Sequence, residues 1–138
     1  MGRRIYFFLL AAFLACAASA LVVTQKSTVD GVVVAVTAGN LEPEATVWDF
    51  AVVLRSSRGR ALADDLLTSA VLVDPQGRQY KALIWENGAS EPYHRAGVLK
   101  FIAIDPRPDS VELRITRPGE AKPRSFSWLL GNGLVAGR

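Results

Sequence analysis

Three observations predict an all-β chain: short apolar runs alternate at period two, turn residues recur roughly every eight to twelve positions, and no well-capped helical stretch reaches about ten residues. The architecture they define is an immunoglobulin-like antiparallel β-sandwich of about seven strands, placed after an N-terminal signal peptide. The chain has 138 residues, enough for one domain with a real hydrophobic core and too few for two.

The N-terminus has the feature order of a secretory signal. Arg3 and Arg4 precede the apolar run from Ile5 to Leu14, and small residues follow as far as Ala18-Ser19-Ala20. Residues 1–20 are therefore expected to be removed and residues 21–130 to form the sandwich. Residues 131–138 should trail as a flexible tail, because Gly131, Gly133 and Gly137 fall there. Two other readings of the leader stay open. Between Ile5 and Val23 only Ser19 is clearly polar. Such a run makes roughly 28 Å of helix, close to the hydrocarbon thickness of a bilayer, so an uncleaved membrane anchor is the second reading. The third comes from Phe13-Leu14-Ala15-Cys16, a lipobox-like stretch with Phe13 where Leu is usual, which makes Cys16 a candidate for lipidation. Each reading places the domain outside the cytoplasm, periplasmic or secreted, either free or membrane-anchored.

The first strand runs from Thr28 to Thr37, where Val29, Val32, Val33, Val34 and Val36 favour extended backbone and Asp30-Gly31 bulges or bends its start. Gly39-Asn40 and Pro43 end it. In the second, Trp48, Phe50, Val52 and Leu54 alternate with Val47, Asp49, Ala51 and Val53, which puts the bulky side chains on one face. Arg55 to Arg60 reads as a polar loop. Leu62, Leu66 and Leu67 then have helical spacing over a segment too short for more than one turn inside a crossover. Ala70 to Val73 forms a strand that Asp74-Pro75-Gln76-Gly77 closes as a type I turn, and Gln79 to Glu86 pairs back as a hairpin. Asn87 to Tyr93, with Gly88 and Pro92, reads as a loop, followed by an apolar strand from Gly97 to Ile104. Two prolines stiffen the turn Asp105 to Asp109. Val111, Leu113 and Ile115 alternate with Glu112, Arg114 and Thr116, the pattern of a strand with one wet face. Phe126, Trp128 and Leu130 repeat it in the last strand.

Composition narrows the function classes. The formal charge is +3, and removal of Arg3 and Arg4 with the leader leaves +1. Basic residues are interspersed with acidic ones and form no stripe interleaved with aromatics, so nucleic acid is not an expected partner. Cys16 is the sole cysteine. Cleavage after Ala20 would leave no disulfide, thiol nucleophile or thiolate ligand, and stability must then come from apolar packing.

The inventory for catalysis is thin. There is one histidine, His94, and no Gly-x-Ser-x-Gly elbow. Asp64 and Asp65 are adjacent, but neighbours on extended backbone point to opposite faces, so they read as a solvated loop or the start of a helical turn. The chain is expected not to be an enzyme and to need no cofactor. A metal centre normally wants several converging imidazole, thiolate, thioether or carboxylate ligands, and beyond the leader only His94 and scattered carboxylates are on offer. No metal ligands are assigned. The alternative kept open is a periplasmic copper- or zinc-handling protein centred on His94.

The densest polar and aromatic cluster lies between Trp85 and Phe101. Trp85 and Glu86 leave one strand while Tyr93, His94 and Arg95 enter the next, so these five residues form the candidate interaction surface at one loop end. Trp48 and Trp128 read as core residues.

Several stretches resemble a family. Trp48-Asp49-Phe50, Val73-Asp74-Pro75-Gln76-Gly77-Arg78-Gln79-Tyr80, Ile84-Trp85, His94-Arg95-Ala96-Gly97-Val98-Leu99-Lys100-Phe101 and Phe126-Ser127-Trp128 are similar to an uncharacterised group of secreted prokaryotic immunoglobulin-like β-sandwich domains. The likeness spans most of Val32 to Leu130. That group is expected to carry Asp-Thr-His-Ser after its first aromatic strand and paired histidines before the arginine. Here Arg55-Ser56-Ser57-Arg58 and Tyr93-His94 stand in those places. The resemblance implies a fold and no activity. The expected function is an exported, non-catalytic binding or accessory module. Its expected partner is another extracytoplasmic protein, with membrane contact only through an N-terminal anchor.

Overall fold

The computed structural model describes residues 24–57 and 59–131. The expected signal or anchor segment, Cys16 and the tail from residue 132 onward lie outside the described residues. Two antiparallel sheets face each other. The first contains β1 (Thr24–Val29), β2 (Val32–Ala38), β3 (Val47–Ser56), β6 (Ile84–Glu91) and β7 (His94–Ile102), in the order β1-β2-β3-β7-β6. The second contains β4 (Ala70–Val73), β5 (Gln79–Lys81), β8 (Ser110–Ile115) and β9 (Arg124–Leu129), in the order β5-β4-β8-β9. A single helical turn, α1 (Leu66–Ser69), lies in the crossover from β3 to β4. The all-β sandwich expected from the pattern is the fold observed.

The described residues hold nine strands, more than the expected seven, for two physical reasons. Asp30 and Gly31 both adopt positive φ, 53° and 80°, and Val29 pairs with Val32 across them. They form the two-residue Asp-Gly hairpin turn whose twist matches the flanking strands. The run Thr28 to Thr37 is therefore the end of β1, a turn, and β2. Similarly, Gln79 to Glu86 is not one strand. β5 stays beside β4, the chain changes sheets at Ala82-Leu83, and β6 joins β7 in the other layer.

Asn87 to Tyr93 is also corrected from a loop to a strand and a tight turn. β6 pairs with β7 as far as Glu91 opposite His94, and a register shift between Asn87 and Ala89 absorbs Gly88 as a bulge. Pro92 and Tyr93 alone make the turn. β7 accordingly begins at His94 instead of Gly97.

The core lies between the sheets. Val32, Val34 and Val36, then Trp48, Phe50, Val52 and Leu54, then Leu99 and Phe101 face inward from the five-stranded sheet. Leu72, Val111, Leu113, Ile115 and Phe126 meet them from the other. Phe50 sits edge-on to Phe101 at 5.8 Å and tilted on Trp128 at 5.1 Å. Fully burying such a side chain contributes about 1.5–3 kcal/mol.

One open side of the sandwich is closed by side chains. The Gln25 amide on β1 donates to the Ser127 carbonyl at 2.6 Å and accepts from the Ser127 N–H at 3.2 Å, replacing the strand that β9 lacks. On the opposite side β6 and β5 are the outer strands, so the β6–β7 hairpin lies at a sheet edge.

Candidate functional site on the outer face of the five-stranded sheet

Alternation decides which side chains of a strand meet solvent. With the even-numbered residues of β2 and β3 and the odd-numbered residues of β7 turned inward, the others stand on the outer face. Register lines them into rows. The upper row is Thr28, Val33, Arg55, His94 and Glu91. The next is Lys26, Ala35, Val53 and Ala96, and below it come Thr24, Thr37, Ala51, Val98 and Glu86. Asp49, Lys100 and Ile84 follow.

The two middle rows are apolar at their centre, although an outer face of an antiparallel sheet usually carries polar side chains. The four-stranded sheet does follow that pattern. Its outer face carries Val71, Val73 and the exposed Leu129 but is polar at its centre, with Gln79, Lys81, Ser127 and the cluster in which Arg114 donates to Glu112 at 2.9 and 3.1 Å and Ser125 also bonds Glu112. The centres of the two outer faces therefore differ in polarity.

An open recess of about 480 Å³ caps the upper row, lined by Val33, Arg55, Ser56, Ser57, Tyr93 and His94. Tyr93, in the β6–β7 turn, is 50% exposed. The backbone around the recess is pinned: the Ser56 N–H donates to the Tyr93 carbonyl at 3.0 Å, and both the N–H and hydroxyl of Ser57 donate to the Gly31 carbonyl at 2.9 Å. The Ser56 hydroxyl is buried and finds no hydrogen-bond partner among the described residues. His94 Nδ1 lies 3.7 Å from a Glu91 carboxylate oxygen. The recess thus gathers a guanidinium, an imidazole, a phenol and the Ser57 hydroxyl above the apolar side chain of Val33, with the Ser56 hydroxyl buried beneath.

Of the five residues expected at one loop end, the structure brings Tyr93 and His94 together here. Glu86 stands lower on the same face and pairs with Lys100 at 3.3 Å. Trp85 and Arg95 turn inward by the parity of their strands. The Trp85 ring covers Gly97, where an added Cβ would lie 2.7 Å from it, and Arg95 Nη1 donates to the Asp64 carbonyl at 2.6 Å. Arg55, Ser56 and Ser57 belong to the site although the sequence reads them as loop. Arg55 shares its parity with Val53, Ala51 and Asp49, and that alternation was the signal for it.

Asp64 also differs from its solvated expectation. It is 3% exposed and bonded to Arg117, while Asp65 remains exposed and caps α1 by accepting from the Leu67 N–H at 3.1 Å. A cavity of about 170 Å³ beside this pair is lined by Arg60, Asp64, Arg117 and Glu120. Asp64, Arg117 and Glu120 pair with one another, and Arg60 pairs with Asp30 at 3.5 Å.

Among the described residues, no group of three or more His, Cys, Asp and Glu side chains is placed to hold a metal, and no helix is long and apolar enough to cross a membrane. No family model matches the chain, and no curated protein is significantly similar to it. Among solved structures, the secreted protein MPT63 of Mycobacterium tuberculosis is similar over 78% of this chain and 91% of its own, at 16% identity and a TM-score of 0.44. A likeness of that size carries no argument about function.

Proposed function

We propose that this protein is an exported, non-catalytic module that binds another extracytoplasmic protein through the recess at the β6–β7 turn. Export rests on the leader, with its paired arginines, apolar run and Ala18-Ser19-Ala20. Binding rests chiefly on one observation: Tyr93 is half exposed on a tight, doubly pinned hairpin beside Arg55 and His94. Tyr and Arg on rigid backbone lose little entropy on contact and are the residue types that dominate protein interfaces. The non-catalytic reading is supported by Ser57, whose hydroxyl is committed to the Gly31 backbone carbonyl.

A photoreactive residue at position 93, introduced in the exporting host, tests this. The expected product is a discrete adduct with a second protein that Arg55→Ala weakens. Equal labelling from position 81, on the polar outer face of the other sheet, would overturn the reading.

A further inference from the structure

The middle rows of the outer face form a checkerboard. Ala35, Val53 and Ala96 lie directly above Thr37, Ala51 and Val98, so each strand presents one alanine and one β-branched residue, in alternating order from strand to strand. We infer that this face packs against the same face of a second copy of the chain. A two-fold axis lying across the strands at Val52 exchanges the two rows. It sets Val53 over the partner's Ala51, and likewise Val98 over Ala96 and Thr37 over Ala35, so that on these three strands every projecting side chain meets a short one, while at the β1 edge Lys26 falls over Thr24. Small opposite large is the condition for close packing between sheets, whose side chains must interdigitate across about 10 Å.

The same operation is favourable at the rims. Arg55 and Asp49 lie three residues to either side of Val52 on β3, so each guanidinium falls over the partner's carboxylate. His94 falls over Lys100, whose charge Glu86 already offsets at 3.3 Å. Five strands at about 4.8 Å spacing and the six residue steps from Asp49 to Arg55 that the axis maps onto themselves give a face of roughly 480 Å², smaller than the ~800 Å² per partner of a standard interface and in the range of a weak dimer. A two-fold contact closes on itself and produces a dimer instead of a filament.

The inference goes beyond the binding role of the recess. Tyr93 and Ser57 lie past the last paired row and stay open in the dimer, whereas Arg55 and His94 belong to both the recess and the dimer rim.

Sedimentation equilibrium of the chain as exported tests it, using the wild type, Ala51→Val, Val53→Ala and the double variant. These side chains are on the outer face, so the fold is retained, and an unchanged unfolding temperature verifies that. The wild type is expected to dimerise. Each single substitution, which sets large on large or hole on hole, should weaken dimerisation about tenfold, and the double variant should recover to within about threefold. A wild type that stays monomeric at about 1 mM overturns the dimer. A dimer whose double variant is no better than the singles overturns this geometry. The Ala51 and Val53 variants leave the recess lining intact, so a Tyr93 adduct with a different protein is read separately from either result.

Discussion

Asp64 and Arg117 are joined by two hydrogen bonds of 2.8 and 2.9 Å, 53 positions apart in sequence and almost wholly buried. The pair is the start of a chain of alternating charge. Arg117 also donates to Glu120 at 2.9 Å, Arg124 donates to the same carboxylate at 2.8 and 2.7 Å, and Arg124 reaches the Ser27 carbonyl at 2.7 Å. The β3–β4 crossover, the β8–β9 loop, β9 and β1 are thereby tied together at one end of the sandwich. The bond to Asp64, added to that with Glu120, raises the Arg117 pKa against the opposing effect of burial.

Removing Asp64 leaves the Arg117 and Arg124 guanidiniums sharing the single Glu120 carboxylate, one buried charge in excess, at about 3–5 kcal/mol. Asp64→Ala should lose that much in urea unfolding. Asp65→Ala, which removes only an exposed helix cap, should lose about 1 kcal/mol. Equal losses from the two neighbours would contradict the roles assigned to them.

Acid should weaken both this chain of charges and the Asp74 turn. The hydrogen bonds from Arg124 hold the Glu120 carboxyl below its ordinary range, with burial opposing and Arg117 adding to the effect. At Asp74 burial pushes upward, but the Arg78 N–H, the Tyr80 hydroxyl and the Arg78 guanidinium outweigh it and the carboxyl is again lowered. A depressed folded pKa means that the stabilisation is complete above the unfolded value and is lost as pH falls through the folded one. The unfolding temperature should therefore be level down to about pH 4.5 and fall below it. In Glu120→Gln the acid-dependent loss should shrink. An unchanged acid slope would remove Glu120 from this account.

Gly97 is where β6, β7 and the core meet without space for a side chain. A Cβ there would come within 2.3 Å of the Glu86 carbonyl and 2.7 Å of the Trp85 ring. Since backbone is the nearest obstacle, Gly97→Ala must displace the edge strand, at about 1–3 kcal/mol of overpacking. Hydrogen exchange should show the added opening in β6 and β7 and leave the β8–β9 pair as it was. Gly119→Ala, by contrast, meets no atom within 4 Å and is strained only by its φ of 79°.

Local patterns in the chain were legible where the physics is local. The alternation of β3 and β8 matches their burial residue by residue. The Asp74 turn forms as expected, with the Gly77 N–H donating to the Asp74 carbonyl at 2.9 Å. The misread segments share a cause. Asn87-Gly88 has turn chemistry, yet pairing of β6 with β7 continues through it as a bulge. The change of sheet at Ala82-Leu83 depends on which strand each half can reach, a long-range property with no local mark. Asp64 and Arg117 show nothing alone, because only the fold brings them together.

The metal alternative turns on His94, and the structure gives it one near carboxylate, Glu91 at 3.7 Å, in a setting 34% exposed for the imidazole. A copper or zinc site generally needs three or four donors held in a fixed geometry. Arg55 sits directly across the strand pair from His94, and its positive charge opposes a second cation at that spot. Exported protein equilibrated with one equivalent of Zn(II) or Cu(II) and then dialysed should accordingly retain far less than one metal per chain, with no difference between the wild type and His94→Ala. Retention of one equivalent that His94→Ala abolishes would replace the protein-binding reading of the recess with a metal-handling one. Arg55→Ala sharpens the comparison. Under the metal reading, removing the neighbouring cation strengthens retention; under the binding reading it leaves retention unchanged and weakens the capture of a partner at Tyr93, together with the dimer contact to Asp49.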